Sequence, residues 1–165
     1  MSNKFLAAII VIGSLVTIPV HTCAAEPPIP HQGIELSHGT LNLLRAEMRE
    51  IAGGIQGIAL SLATADWRAI EETSAKIQAS YIMAQKLTVD QKKELKTALP
   101  ERFKQLDAEF HQRAGKLGAA AAARDPELAA FHYSRMVESC ISCHSSFASE
   151  RFPGFAPPAP QGHHH

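Results

Sequence analysis

Leu41, Leu44, Met48, Ile51, Ile55, Ile58 and Leu62 follow one another at alternating steps of three and four. That spacing tracks the 3.6-residue turn of an α-helix and gathers seven apolar side chains into one stripe on a helix of roughly 25 residues. A helix with a single apolar stripe gains most of its stability by burying that stripe against neighbours. The stripe therefore predicts a bundle face.

Three more long helices are predicted downstream. Asp66 offers an N-cap to a second helix with Trp67, Ile70, Ser74, Ile77, Tyr81 and Ala84 on its inner side. The polar stretch KLTVDQKKELKTALP includes a short helix begun at Thr88, its charged residues facing water. Pro100 stands where the first turn of a third long helix tolerates it, and Phe103, Leu106, Phe110, Ala114 and Leu117 form that helix's stripe. The alanines from Ala119 to Ala123 prolong it and allow close packing. Asp125-Pro126 stops that helix and caps a fourth, which carries Leu128, His132, Met136, Cys140, Cys143 and Phe147 along one face and ends before Pro153. With no alternating strand pattern, the expectation is an all-α, antiparallel up-down-up-down four-helix bundle over residues 37–152.

The flanks read differently. Lys4, an almost wholly apolar run from Phe5 to Val20, and Ala24-Ala25 have the form of a secretory signal peptide over residues 1–25. Gly13, Ser14 and Thr17 interrupt the run, which is shorter than the roughly 20 residues of a membrane span. Export to a periplasmic location with no stable membrane insertion after cleavage is expected. A lipid anchor through Cys23 is the lesser alternative, because His21 and Thr22 fit a lipoprotein signal poorly. Residues 26–36, with three prolines, read as a flexible segment, and residues 153–165 as a disordered Pro-rich tail whose terminal histidines have no mechanistic role. Cleavage leaves 15 basic residues against 16 acidic ones. A near-neutral chain lacks the basic surface that nucleic acid requires, so nucleic acid is not an expected partner.

Cys140-Ile141-Ser142-Cys143-His144 carries the chemistry. On a helix the three functional residues project from neighbouring positions. Two thiols at i and i+3 suit addition across the vinyl groups of a porphyrin, and the next imidazole suits its iron; the pentapeptide is the c-type haem attachment signature. A structural zinc site wants four ligands, and no second Cys or His pair has suitable spacing. A redox dithiol wants its first Cys at a helix start beside a strand, whereas these cysteines lie deep in the last helix. A disulfide across three residues closes a trivial loop. One covalent haem c with its iron, held proximally by His144, is the expectation.

The sixth position of the iron decides between functions. Met48 is roughly 15 Å along the first helix and His144 roughly 10 Å from the end of the last, so the two meet at similar height in an antiparallel bundle. Level alone does not separate Met48 from Met83. Met136 and His132 lie about 12 and 18 Å from His144 along one helix and are excluded. His38 and His111 read as solvated or capping groups, and Lys86 would have to lose its proton. Arg45, one turn before Met48, is a candidate for a haem propionate. Gly53 and Gly54 each cost a helix about 1 kcal/mol against alanine, which close approach to the haem or to a neighbouring helix would offset.

An exported chain of this length, with four helices and its haem motif at the end of the last, resembles the class II c-type cytochromes, the cytochrome c-prime family. The resemblance covers about Ser37 to Phe152 and is sharpest at Cys140 to His144 with Phe147. It implies a distal residue on the first helix. Where that residue is apolar the iron is five-coordinate and open to gases; where it is methionine the iron is six-coordinate and suited to electron transfer. LLRAEMREIAGG resembles the methionine-bearing branch, which implies Met48 as the distal ligand. Many family members place a basic residue four after the haem histidine, where this chain has Ala148; positive charge returns at Arg151.

The expected function is one-electron transfer with redox proteins as partners, and the alternative is binding of nitric oxide or carbon monoxide. No acid-base constellation or phosphate loop marks the chain as an enzyme. The resemblance admits a homodimer.

Overall fold

The computed structural model describes residues 34–155. The expected signal peptide with Cys23, most of the segment from 26 to 36, and the tail beyond Phe155 lie outside the described residues. Six α-helices follow in order: α1 (His38–Thr64), α2 (Trp67–Ala79), α3 (Met83–Lys86), α4 (Val89–Ala98), α5 (Glu101–Ala122) and α6 (Pro126–Phe147). Pro153–Phe155, assigned to the tail from the sequence, form a 3-10 turn. The described residues contain no strand.

Side-chain caps explain where the helices begin. The Ser37 hydroxyl accepts from the Thr40 N–H, Asp66 from that of Ala69, Thr88 from that of Gln91, and Asp125 from that of Leu128. Each satisfies an N–H that the first helical turn leaves without a partner. Two residues join α1 to α2 and three join α5 to α6, so consecutive long helices run antiparallel. α1, α2, α5 and α6 form the four-helix bundle; α3 and α4 span the long connection between its second and third members. The most extensive contacts are α2 with α5 and α5 with α6, while α1 packs chiefly on α2.

The core contains Ile51 and Ile58 from α1, Ile70 and Ile77 from α2, Phe110, Ala114 and Leu117 from α5, and Met136 from α6. Side-chain size divides the bundle lengthwise. Where α5 ends and α6 begins, Ala120, Ala121 and Ala129 are buried, and Gly118 lies against α2 so closely that a Cβ there would stand 3.3 Å from that of Ser74. Phe103, Leu106 and Phe110 fill the opposite end of α5. The bundle is closed at its small-residue end and opens into a cleft at the other.

Two features differ from the sequence reading. α2 stops at Ala79 and does not continue through Tyr81 and Ala84, because Ser80 takes φ 62° and the next N–H groups turn toward a carboxylate on α1. On α6 the inward position of the first turn is Ala129, with Leu128 43% exposed. Met136 and Ser139 are the other buried residues of that helix, and His132 is only partly covered.

Candidate functional site

α6 presents Cys140, Cys143 and His144, all half-buried, to a cavity of about 510 Å³ at the open end of the bundle. α1 contributes Leu41, Leu44, Arg45, Met48, Arg49 and Ile51 to its walls, and α5 contributes Phe103, Leu106 and Phe110. Phe147 stands edge-on to Phe103 with ring centroids 5.4 Å apart, and the segment after α6 folds back to add Arg151 and Phe152. The volume lies within the roughly 300–1,000 Å³ of a cofactor site.

Electrostatics oppose a reactive dithiol. Burial, with smaller contributions from the Asp107 and Cys140 charges, pushes the Cys143 thiol up to about 11. Burial also raises Cys140. A redox or nucleophilic cysteine needs the reverse shift. Desolvation lowers the pKa of His144 and favours the neutral imidazole, the form with a lone pair to give to a metal.

The other ligand candidates separate by position. Met48 is 36% exposed on the cavity wall, while Met136 is fully buried in the core. Met83 and His111 line a second cavity of about 450 Å³, which Met48, Leu44, Phe103 and Asp107 also line; those four residues form the partition between the two spaces. His111 bridges helices: its Nδ1 is 2.6 Å from the Ile77 carbonyl oxygen near the end of α2, and its Nε2 is 3.6 Å from Asp107. The Asp107 carboxylate, ahead of other causes, holds its pKa above the ordinary value. His38 is exposed beside Asn42, and Lys86 is exposed on α3.

Glu47, next to Met48, is 2% exposed and was not anticipated. Its carboxylate accepts the Ser80 hydroxyl and the N–H groups of Tyr81, Ile82 and Met83. A helical pattern assigns glutamate to the solvent face, so no signal in the stripe reveals this anchor. Arg49, one turn after Arg45, lines the same cavity by the same logic. Phe152 lies beyond the helix, where periodicity has no reach. Gly54 makes its close approach to α2: a Cβ there would meet the Tyr81 hydroxyl at 2.9 Å and Ile77 at 3.3 Å. Nothing lies within 4 Å of a Cβ at Gly53.

Among the described residues, no group of three or more His, Cys, Asp or Glu side chains comes together to hold a metal ion. The 510 Å³ cavity does fit a haem: an apolar slab between α1 and α5, two thiols and an imidazole on one wall, and guanidinium groups suited to anionic propionates. A family model described as Cytochrome C' matches residues 33–148. The chain belongs to the cytochrome c' family. Members of this class II c-type family are haem c proteins, and the all-helical bundle agrees with that membership. Comparison with curated proteins and with solved structures gave no match. Among the described residues, no helix is long and apolar enough to cross a membrane.

Proposed function

We propose that this cytochrome c' is an exported, periplasmic one-electron carrier whose single haem c is attached to Cys140 and Cys143, with His144 as proximal and Met48 as distal ligand. The observation that carries the reading is that both thiols, the His144 imidazole and the Met48 side chain line one cavity. When bound, the haem supplies a reversible Fe(III)/Fe(II) couple. The residues of the chain determine how that couple is used. A thioether is a soft donor that favours ferrous iron, so a Met/His pair raises the potential over harder ligation. Apolar walls from α1 and α5 limit water at the ring, while Arg45 and Arg49, which line the same cavity, would pair with propionates. Redox proteins are the partners this reading implies, with a homodimer through α1 as a further association.

A second reading, reversible gas binding, is favoured by one observation. Met48 also borders the second cavity, which gives a displaced thioether somewhere to go. Optical spectra of the haem-loaded protein, oxidised and reduced, with and without carbon monoxide, separate the two. A low-spin spectrum with a sulfur-to-iron charge-transfer band and no gas response supports electron transfer, and Met48→Ala should then become high-spin and gas-responsive. A wild-type spectrum that is high-spin and responds to the gas transfers the function to gas binding.

A further inference from the structure

α6 ends at Phe147, and the chain does not run off into solvent. The N–H groups of Arg151 and Phe152 both return to the Ala148 carbonyl at 3.0 Å, and that of Phe155 returns to Phe152 at 3.0 Å. This compact turn lays the Phe152 ring on the His144 imidazole, with centroids 4.5 Å apart and planes 21° from parallel. Phe155 braces Phe152 edge-on at 6.5 Å, and the Arg151 guanidinium carbon lies 6.0 Å from the Phe152 centroid. At Ala148 the side chain is a methyl group, so the ring neighbour of His144 comes from the returning turn.

We propose that Phe152 is a positioning residue for His144, a flat, uncharged plate that fixes the rotation of the imidazole. The proposal rests on the reading of His144 as the proximal ligand. Imidazole nitrogens lie at the ring edge, so a partner on the face leaves them free for a metal. That face contact restricts the torsion about Cβ–Cγ, which is otherwise broad. Metal-binding histidines are usually oriented by a hydrogen bond from the second nitrogen. Here ring stacking performs the orientation, with the Arg151 guanidinium beside Phe152.

The experiment uses the haem-loaded protein and Phe152→Ala, Phe152→Leu and Phe152→Tyr. The ferric electron paramagnetic resonance spectrum is recorded for a six-coordinate iron, or the ferrous iron–histidine stretching band for a five-coordinate one. Both depend on how the imidazole is held. The expected result is one narrow species in the wild type, a broadened or split signal in Phe152→Ala and Phe152→Leu, and restoration by Phe152→Tyr. Leucine keeps the apolar bulk without the flat face, so it separates stacking from packing. A haem-bearing protein whose signal survives Phe152→Leu, whether or not Phe152→Ala broadens it, overturns the proposal. A wild type that binds no covalent haem when produced with haem-attachment machinery overturns the reading of the site itself.

Discussion

The Glu47 carboxylate accepts the backbone N–H of Tyr81 at 2.9 Å across 34 residues of sequence, and so ties α1 to the point where α2 breaks. Three further donors converge on the same group. Glu47→Ala would leave buried donors without an acceptor, and each such loss is expensive. The expected destabilisation is roughly 2–4 kcal/mol, read as a lower urea midpoint. Glu47→Gln keeps one acceptor oxygen for two of the four donors but turns its N–H₂ toward the others, so it should cost less than alanine and still lower the midpoint. Unchanged midpoints in both variants would refute the anchoring role.

Adjacent glycines should respond with opposite signs. Gly53→Ala adds a methyl group in open space and removes a poor helix former, so it should stabilise by about 0.5–1 kcal/mol. Gly54→Ala drives a methyl into Tyr81, Thr73 and Ile77 together, and this crowding should outweigh the propensity gain. Thermal denaturation of the two variants side by side checks the pair; equal shifts would contradict the close helix contact.

His111 predicts a pH dependence. Its folded pKa is raised, first by the Asp107 carboxylate 3.6 Å from its Nε2, so the protonated form is favoured in the native state. The stability it contributes is fully present below the ordinary histidine value of about 6.5 and is lost as pH rises through the higher folded value. Asp107→Asn should bring the His111 titration, followed by its ring-proton resonances, back down. A titration that does not move would show that Asp107 is not the cause.

Covalent attachment can be read after denaturation. Cys140→Ala and Cys143→Ala should each retain haem through one remaining thioether or lose it, and the double variant should release all of it into acidified acetone. Haem stain persisting on the denatured double variant would disprove attachment at these two residues.

The sequence was most legible where burial follows period. Phe103, Leu106, Phe110, Ala114 and Leu117, the stripe expected on α5, are all buried. The caps at Asp66, Thr88 and Asp125 were equally plain, because capping depends on a local side chain. Cys140, Cys143 and His144 could be placed side by side because a helix fixes the relation among its own residues; the cavity they line is formed by other segments. What escaped depends on relations between segments. Leu128 and Ala129 differ by one step of helix phase, and only the neighbouring helices decide which one turns inward. Ser80 breaks α2 because a glutamate 33 residues earlier binds its hydroxyl. Phe152 reaches His144 through a turn whose path no periodicity describes.

The tapering of the bundle gives its alanines an influence beyond their own contacts. α5 has 22 residues, about 33 Å of nearly rigid rod, and its neighbours pinch it at the end lined by Ala120 and Ala121. The arrangement resembles tongs gripped at the pivot. A methyl group added there should push α5 away from α2 and α6 and widen the cleft at the far end. The width of the cleft that Met48 and His144 line is therefore set partly by side chains that do not line it.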